Sequence, residues 1–221
     1  MKSYRACRDI FFHIVLDRSI NLLYINVVNK INNVNIGGNK MKTVVVYKSK
    51  TGFTKKYAEF IREALGCPAY DYKSSKNINL DSYDVVIYGG SLYASGILGL
   101  KKFKTRLKNQ KLIVFAVGAT PPKEGLDEEL IKANFDEEER KNVKFFYMRG
   151  GFNFDELNLI DKGLMKMMKR SIEKKDPEER TPDEKGMLNA FNQPVDFTRS
   201  KNIEPLLDYL RKVENNEENV G

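Results

Sequence analysis

Three short, continuous apolar runs constrain this chain most: Thr43 to Tyr47 (TVVVY), Asp84 to Tyr88 (DVVIY) and Leu112 to Val117 (LIVFAV). Apolar runs without polar alternation suit strands covered on both faces, as in a parallel sheet between helical layers. The intervening segments carry helical periodicity. Thr54 to Leu65 places Tyr57, Ala58, Ile61 and Leu65 on one face and ends at Gly66, with Pro68 just beyond. Ala69 to Tyr72 reads as a short second strand and Val143 to Met148 as a fifth. Leu100 to Leu107 carries a helical stripe, Asp127 to Ala133 and Asp136 to Lys141 form a broken acidic helix, and Ile203 to Val213 is a last helix. This alternation predicts an α/β three-layer sandwich with a five-stranded parallel sheet of order 2-1-3-4-5 and right-handed crossovers. In such sheets the ligand sits outside the carboxyl ends of the strands, where the first and third strands part.

Histidine usage excludes several chemistries. The one histidine, His13, falls in the first forty residues, so the rest of the chain has no imidazole for a catalytic triad, a general base or a histidine metal cluster. Cys7 and Cys67 lie far apart and form no CxxC, so no disulfide framework or zinc site is expected, and Cys67 reads as a small apolar residue. An organic cofactor is therefore the expected source of any reactivity. The net charge is +8, of which +4 comes from six Lys or Arg against Asp9 and Asp17 in residues 1–40. The modest remainder is no nucleic-acid signature without a supporting motif, and no nucleic-acid partner is expected.

Residues 1–40 are Asn- and Ile-rich, and their apolar run from Ile10 to Val28 is broken by His13, Asp17 and Arg18, a poor signal peptide or anchor. Gly37-Gly38 stands just before Met41, and GGA GGA codons there would read as a ribosome-binding sequence. The expectation is a mis-called start or a disordered extension, with a domain over 41–213 and a disordered tail over 214–221. A membrane-touching amphipathic extension is the alternative. The expected location is cytoplasmic, with contact at the inner face of the membrane as a further reading.

Directly after the first strand, Ser49-Lys50-Thr51-Gly52-Phe53-Thr54 opens the first helix. Backbone N–H groups at a helix N-terminus bind a phosphate dianion, since they point outward and the macrodipole favours negative charge. Gly52 permits a tight backbone, Ser49, Thr51 and Thr54 offer hydroxyls, and Lys50 either adds charge or faces water. The plainer account is a polar turn with Thr54 as N-cap. The absence of GxxxxGK[ST] argues against a nucleotide-triphosphate loop. A phospho-acceptor receiver domain would want acids where Lys48-Ser49 and Gly89-Gly90 stand.

Ser49 to Thr54 resembles the [ST]-x-[TSD]-G-x-T phosphate loop of flavodoxins, and Gly90-Ser91-Leu92-Tyr93-Ala94 resembles their first isoalloxazine loop. Within that superfamily the chain is most similar to the group containing menaquinone-dependent protoporphyrinogen dehydrogenase. The features are the MKTVVVYKSKTGFT opening, the GGSLYASG loop, the RGGFN turn and the helix GLMKMMKR. The resemblance implies a flavodoxin-like fold binding flavin mononucleotide (FMN) through Ser49, Lys50, Thr51, Gly52, Phe53 and Thr54. It also implies that Ser91 to Gly96 and Gly118 to Pro122 close over the flavin ring. Ser91, Leu92, Tyr93 and Ala94 come from the first of these and Gly118 and Ala119 from the second. Tyr93 would stack on the flavin, or else cap the sheet, while Gly118, Ala119 and Gly151 are small where backbone approaches the ligand. Pro121-Pro122 would stiffen Gly118 to Pro122, the third loop counting from the phosphate loop. No catalytic residue is assigned.

The resemblance further implies electrons passing from a reduced organic substrate such as a porphyrinogen to a quinone or a redox protein partner. An electron shuttle and an FMN-free interaction module remain open; the mildly basic composition disfavours the first and the phosphate loop the second. The segment from Phe152 to Pro194 is a helical insert too long for an ordinary connection. From Leu157 to Ile172 it sets Leu157, Ile160, Leu164, Met165, Met168 and Ile172 on one side and Lys162, Lys166, Lys169 and Arg170 on the other. It reads either as a helix packed on the sheet edge or as a lid that meets a flat substrate, a quinone or a membrane surface.

Overall fold

The computed structural model describes residues 41–218. Expectations for residues 1–40, including Cys7 and His13, and for 219–221 lie outside the described residues. The three apolar runs form central strands: β1 (Thr43–Lys48), β3 (Val85–Tyr93) and β5 (Lys111–Gly118), flanked by β2 (Ala69–Asp71) and β6 (Lys144–Arg149). All five pair in parallel in the order β2-β1-β3-β5-β6. That is the expected 2-1-3-4-5 order once the two-residue β4 (Gly96–Ile97) is recognised as an antiparallel hairpin on the end of β3.

Alternation along each strand divides the core. Val45, Ile87, Phe115 and Val117 face the side covered by α1 (Phe53–Leu65) and α7 (Glu204–Glu218). Val44, Val46, Val86, Tyr88 and Val114 face the side covered by α2 (Leu100–Lys104) and α3 (Leu126–Asn134). Val44, Val45 and Val46 are wholly buried, each contributing on the order of 1.5–3 kcal/mol. A short helix α4 (Glu137–Asn142), opened by the Asp136–Glu139 capping box, leads into β6.

Several boundaries differ from the sequence reading. β3 does not stop at Tyr88 but runs through Gly89 and Gly90 to Tyr93, so Ser91, Leu92 and Tyr93 are strand residues and the turn is confined to Ala94 and Ser95. The glycines stay in the strand because neighbours occupy their side-chain space: a Cβ on Gly89 would lie 2.1 Å from the Phe115 ring, and one on Gly90 2.4 Å from Ile97. α2 ends at Lys104 rather than Leu107, and α7 continues past the expected Val213 to Glu218.

The insert holds two helices, α5 (Leu159–Glu173) and α6 (Pro182–Asn192). The sequence reading missed α6 although Thr181 and Glu184 form a capping box with Pro182 in the first turn. The insert leaves and returns through a ribbon of β7 (Gly151–Phe152) and β8 (Val195–Asp196). Its buried side chains lie outside both main core clusters. Its half-buried phenylalanines pack on one another, with Phe191 5.5 Å from Phe152 and 5.3 Å from Phe154 between ring centroids.

Candidate functional site

β1 delivers the chain at Ser49 into a turn that ends at Gly52, which caps α1 with φ 85° and no side-chain hydrogen bond. The first turn of α1 also has no acidic residue. Its N-terminal N–H groups therefore face outward without the usual capping oxygen, an arrangement that favours an external anion. The Ser49 hydroxyl is buried without a hydrogen-bond partner among the described residues. Such a group costs about 1–3 kcal/mol unless something satisfies it. Thr54 is not the N-cap: it lies one residue inside the helix, fully buried, its Oγ1 sharing a 2.8 Å hydrogen bond with Ser91 Oγ. Ser91 Oγ also accepts from the Lys50 N–H at 3.2 Å, tying the phosphate loop to the end of β3.

Beyond the carboxyl ends of β1, β3 and β5 lies a cavity of about 370 Å³, within the range of small-molecule sites. Lys50, Thr51 and Phe53 of the first loop, Ser91, Leu92, Tyr93 and Ala94 of the second segment, and Gly118, Ala119 and Gly151 all line it. Ser49, Gly52 and Thr54 do not reach its wall. The third loop contributes only Gly118 and Ala119, because Thr120 turns aside to accept a 2.6 Å hydrogen bond from Tyr147 and Pro121 and Pro122 are exposed. Burial pushes the Tyr147 hydroxyl up to about 12, which keeps it a donor.

The protein itself also limits the space at two of the glycines. A Cβ on Gly151 would lie 2.1 Å from the Val195 carbonyl and 2.7 Å from the Phe53 ring, and one on Gly118 2.9 Å from Tyr147 Oη. Packing against the protein itself disfavours a side chain at both positions. Tyr93, the last residue of β3, is 46% exposed at the cavity edge. Ala94, next along the chain, has φ 51°, a left-handed conformation costing a non-glycine residue about 1–2 kcal/mol.

Lys50 does not face water. Its ammonium pairs with Asp161 at the start of α5 and sits 4.1 Å above the Tyr93 ring. Asp161 is 5% exposed and also accepts a 2.8 Å hydrogen bond from Asn158 Nδ2, while Asn158 Oδ1 caps the helix by accepting the Asp161 N–H at 3.0 Å. Lys50 and Asp161 are the two charged side chains lining the cavity. Sequence reasoning missed Asp161 as a site residue. The Asn158-x-x-Asp161 spacing signals a helix start after Asn158, which would have placed Asp161 in the first turn.

The insert completes the wall. Leu157, Leu164 and Met165 from its first half and Met187 from α6 face the cavity, together with Phe152 and Asn153. No local signal marks Met187, since its approach depends on how α6 folds back. Of the expected apolar side of α5, Ile172 is buried and Leu164 and Met165 line the cavity, although Leu164 is 53% exposed; Ile160, 81% exposed, does not line it. Asp161 shares the inward side with Leu164, Met165 and Ile172.

A family model described as "Flavodoxin domain" matches residues 44–180. No curated protein sequence matches the chain. Among solved structures, a candidate flavoprotein from Bacteroides eggerthii is 16% identical, with 49% of this chain and 86% of that chain covered and a TM-score of 0.37. A flavoprotein from Lactobacillus acidophilus, solved in complex with FMN, is 16% identical over 49% of this chain and 92% of its own, with a TM-score of 0.35. The rubredoxin oxygen:oxidoreductase of Desulfovibrio gigas is 18% identical over 51% of this chain and 31% of its own, with a TM-score of 0.33.

Proposed function

The chain belongs to the flavodoxin-domain family, and from that premise we propose that it is an FMN-dependent oxidoreductase. In this reading it takes hydrogen from a reduced organic substrate and passes electrons to a quinone, as the protoporphyrinogen dehydrogenases it resembles do. The observation that carries the reading is the buried, unpartnered Ser49 hydroxyl beside an α1 terminus without a capping side chain. A phosphate oxygen satisfies both features, and the adjoining cavity offers a largely apolar space for a flat ring system.

The donor set fits FMN, which when bound supplies the hydride- and electron-accepting chemistry without a protein nucleophile. Ser49, Thr51 and the N–H groups of the 50–54 segment would hold the phosphate. Leu92, Tyr93 and Ala94 on one side and Gly118 and Ala119 on the other would flank the ring. Leu157, Leu164, Met165 and Met187 exclude water and give an apolar substrate adaptable contacts. This wall favours a small-molecule enzyme over a shuttle, whose partner needs an open approach to the cofactor.

The test begins with Ser49→Ala. Losing an unsatisfied hydroxyl should leave the FMN-free protein as stable as before, while FMN affinity falls by about tenfold, one hydrogen bond to a charged group. Equal FMN affinity in the variant, or purified protein that takes up no FMN, would refute the site. Anaerobic turnover of protoporphyrinogen with a menaquinone analogue tests the substrate reading, and no turnover with FMN-loaded protein would reject it.

A further inference from the structure

Four of the five exposed large hydrophobic residues among the described residues lie on one side of α5: Leu159 (86% exposed), Ile160 (81%), Leu164 (53%) and Met167 (67%). Helical spacing puts them on one arc around Gly163, with Leu164 at its edge beside the cavity and the buried Asp161 and Ile172 beyond it. Isolated exposed apolar residues are ordinary, but four on consecutive turns are not. The same outward arc carries Lys166, Arg170 and Lys174, all exposed. The carboxylate bordering it, Glu173, stands 3.8 Å from Lys169.

We propose that this face of α5 docks on an anionic lipid bilayer. Leu159, Ile160, Leu164 and Met167 enter the boundary between head groups and acyl chains, and Lys166, Arg170 and Lys174 meet lipid phosphates. Charge selects this occupant. A second copy of the chain docked face to face would set these cations against their own equivalents, whereas an anionic surface complements them all. Because Leu164 also lines the cavity, docking brings the cavity mouth to the surface from which an apolar acceptor would arrive. That consequence rests on the proposed quinone reaction, whereas the docking itself does not.

The test is co-sedimentation of the full chain with vesicles of phosphatidylglycerol and phosphatidylcholine, and with phosphatidylcholine vesicles alone. Wild-type protein should bind the anionic vesicles, less so as salt rises, and Ile160→Glu and the double change Lys166→Glu with Arg170→Glu should each weaken binding about tenfold or more. The chain has no tryptophan, so Ile160→Trp reports from the face itself, and its emission should shift to the blue on anionic vesicles and not on neutral ones. Binding that is unchanged in the variants, equal on neutral vesicles, or silent at Ile160→Trp would overturn the proposal. A dimer abolished by Ile160→Glu, or an acidic protein partner displaced by it without vesicle binding, would also overturn it. FMN content, read by absorbance on the same samples, separates the two readings: protein that docks but holds no FMN would sink the flavin reading and leave the docking in place.

Discussion

Lys50 and Asp161, 111 positions apart in sequence, form an ion pair that joins the phosphate loop to the insert inside the candidate flavin cavity. The Asp161 side chain is 7% exposed and that of Lys50 27%, so the pair lies between a screened surface bridge and a fully buried one. Asp161→Asn should therefore destabilise the protein by about 1–3 kcal/mol. Removing a carboxylate from the cavity wall should also raise the reduction potential of bound FMN, since negative charge disfavours electron uptake. Denaturant unfolding and a spectroelectrochemical titration measure the two effects. A potential that does not move would place Asp161 away from the ring.

Gly52 offers a sharper test of the phosphate loop. A Cβ there meets nothing within 4 Å, but its φ of 85° is one that β-branched residues rarely adopt. Gly52→Val should cost about 1–3 kcal/mol through backbone strain alone. Gly52→Asn, which tolerates this region better, should cost less. If the loop holds phosphate, FMN affinity should fall in the same order. Valine retaining FMN like wild type would count against the site.

Deleting Asp155 to Asn192 and joining the ends with a short linker should leave a folded protein, since the β7–β8 ribbon brings those ends together and both main clusters lie outside the insert. FMN should still bind through the phosphate loop, though more weakly for want of Leu157, Met165 and Met187. Turnover with the physiological substrate should be lost. A deletion variant with full turnover would end the case for the insert as part of the site; one that cannot fold would mean that it is a structural layer.

Alkaline pH should reveal Tyr147. Its folded value of about 12 lies above the ordinary 10 because burial disfavours the phenolate. The unfolded state loses its proton first, so this contribution to stability is intact below about pH 10 and falls as pH rises toward 12. Tyr147→Phe should flatten that part of the stability curve while losing the hydrogen bond to Thr120, at a cost of about 1 kcal/mol. Chemical denaturation between pH 9 and about pH 12 checks the sign; equal slopes for both proteins would contradict it.

The sheet order was legible in the sequence because continuous apolar runs and helical periodicity are local patterns that parallel pairing must satisfy. The position of the phosphate loop was legible for the same reason: it follows β1 directly and opens α1. Sequence alone did not show that β3 continues through Gly89 and Gly90, because what permits it is the Phe115 ring and Ile97 filling the space of the missing side chains. Nor did it show that a carboxylate shares the inward face of α5. The apolar stripe supplies Leu164 and Met165 to the cavity wall and buries Ile172, yet Asp161 is drawn in beside them by Lys50 and by Asn158, and Ile160 is left outside. Periodicity measures how hydrophobicity repeats along a helix, whereas the phase of a helix is decided by the partners that the folded chain brings to it, and an ion pair spanning more than a hundred residues leaves no local trace.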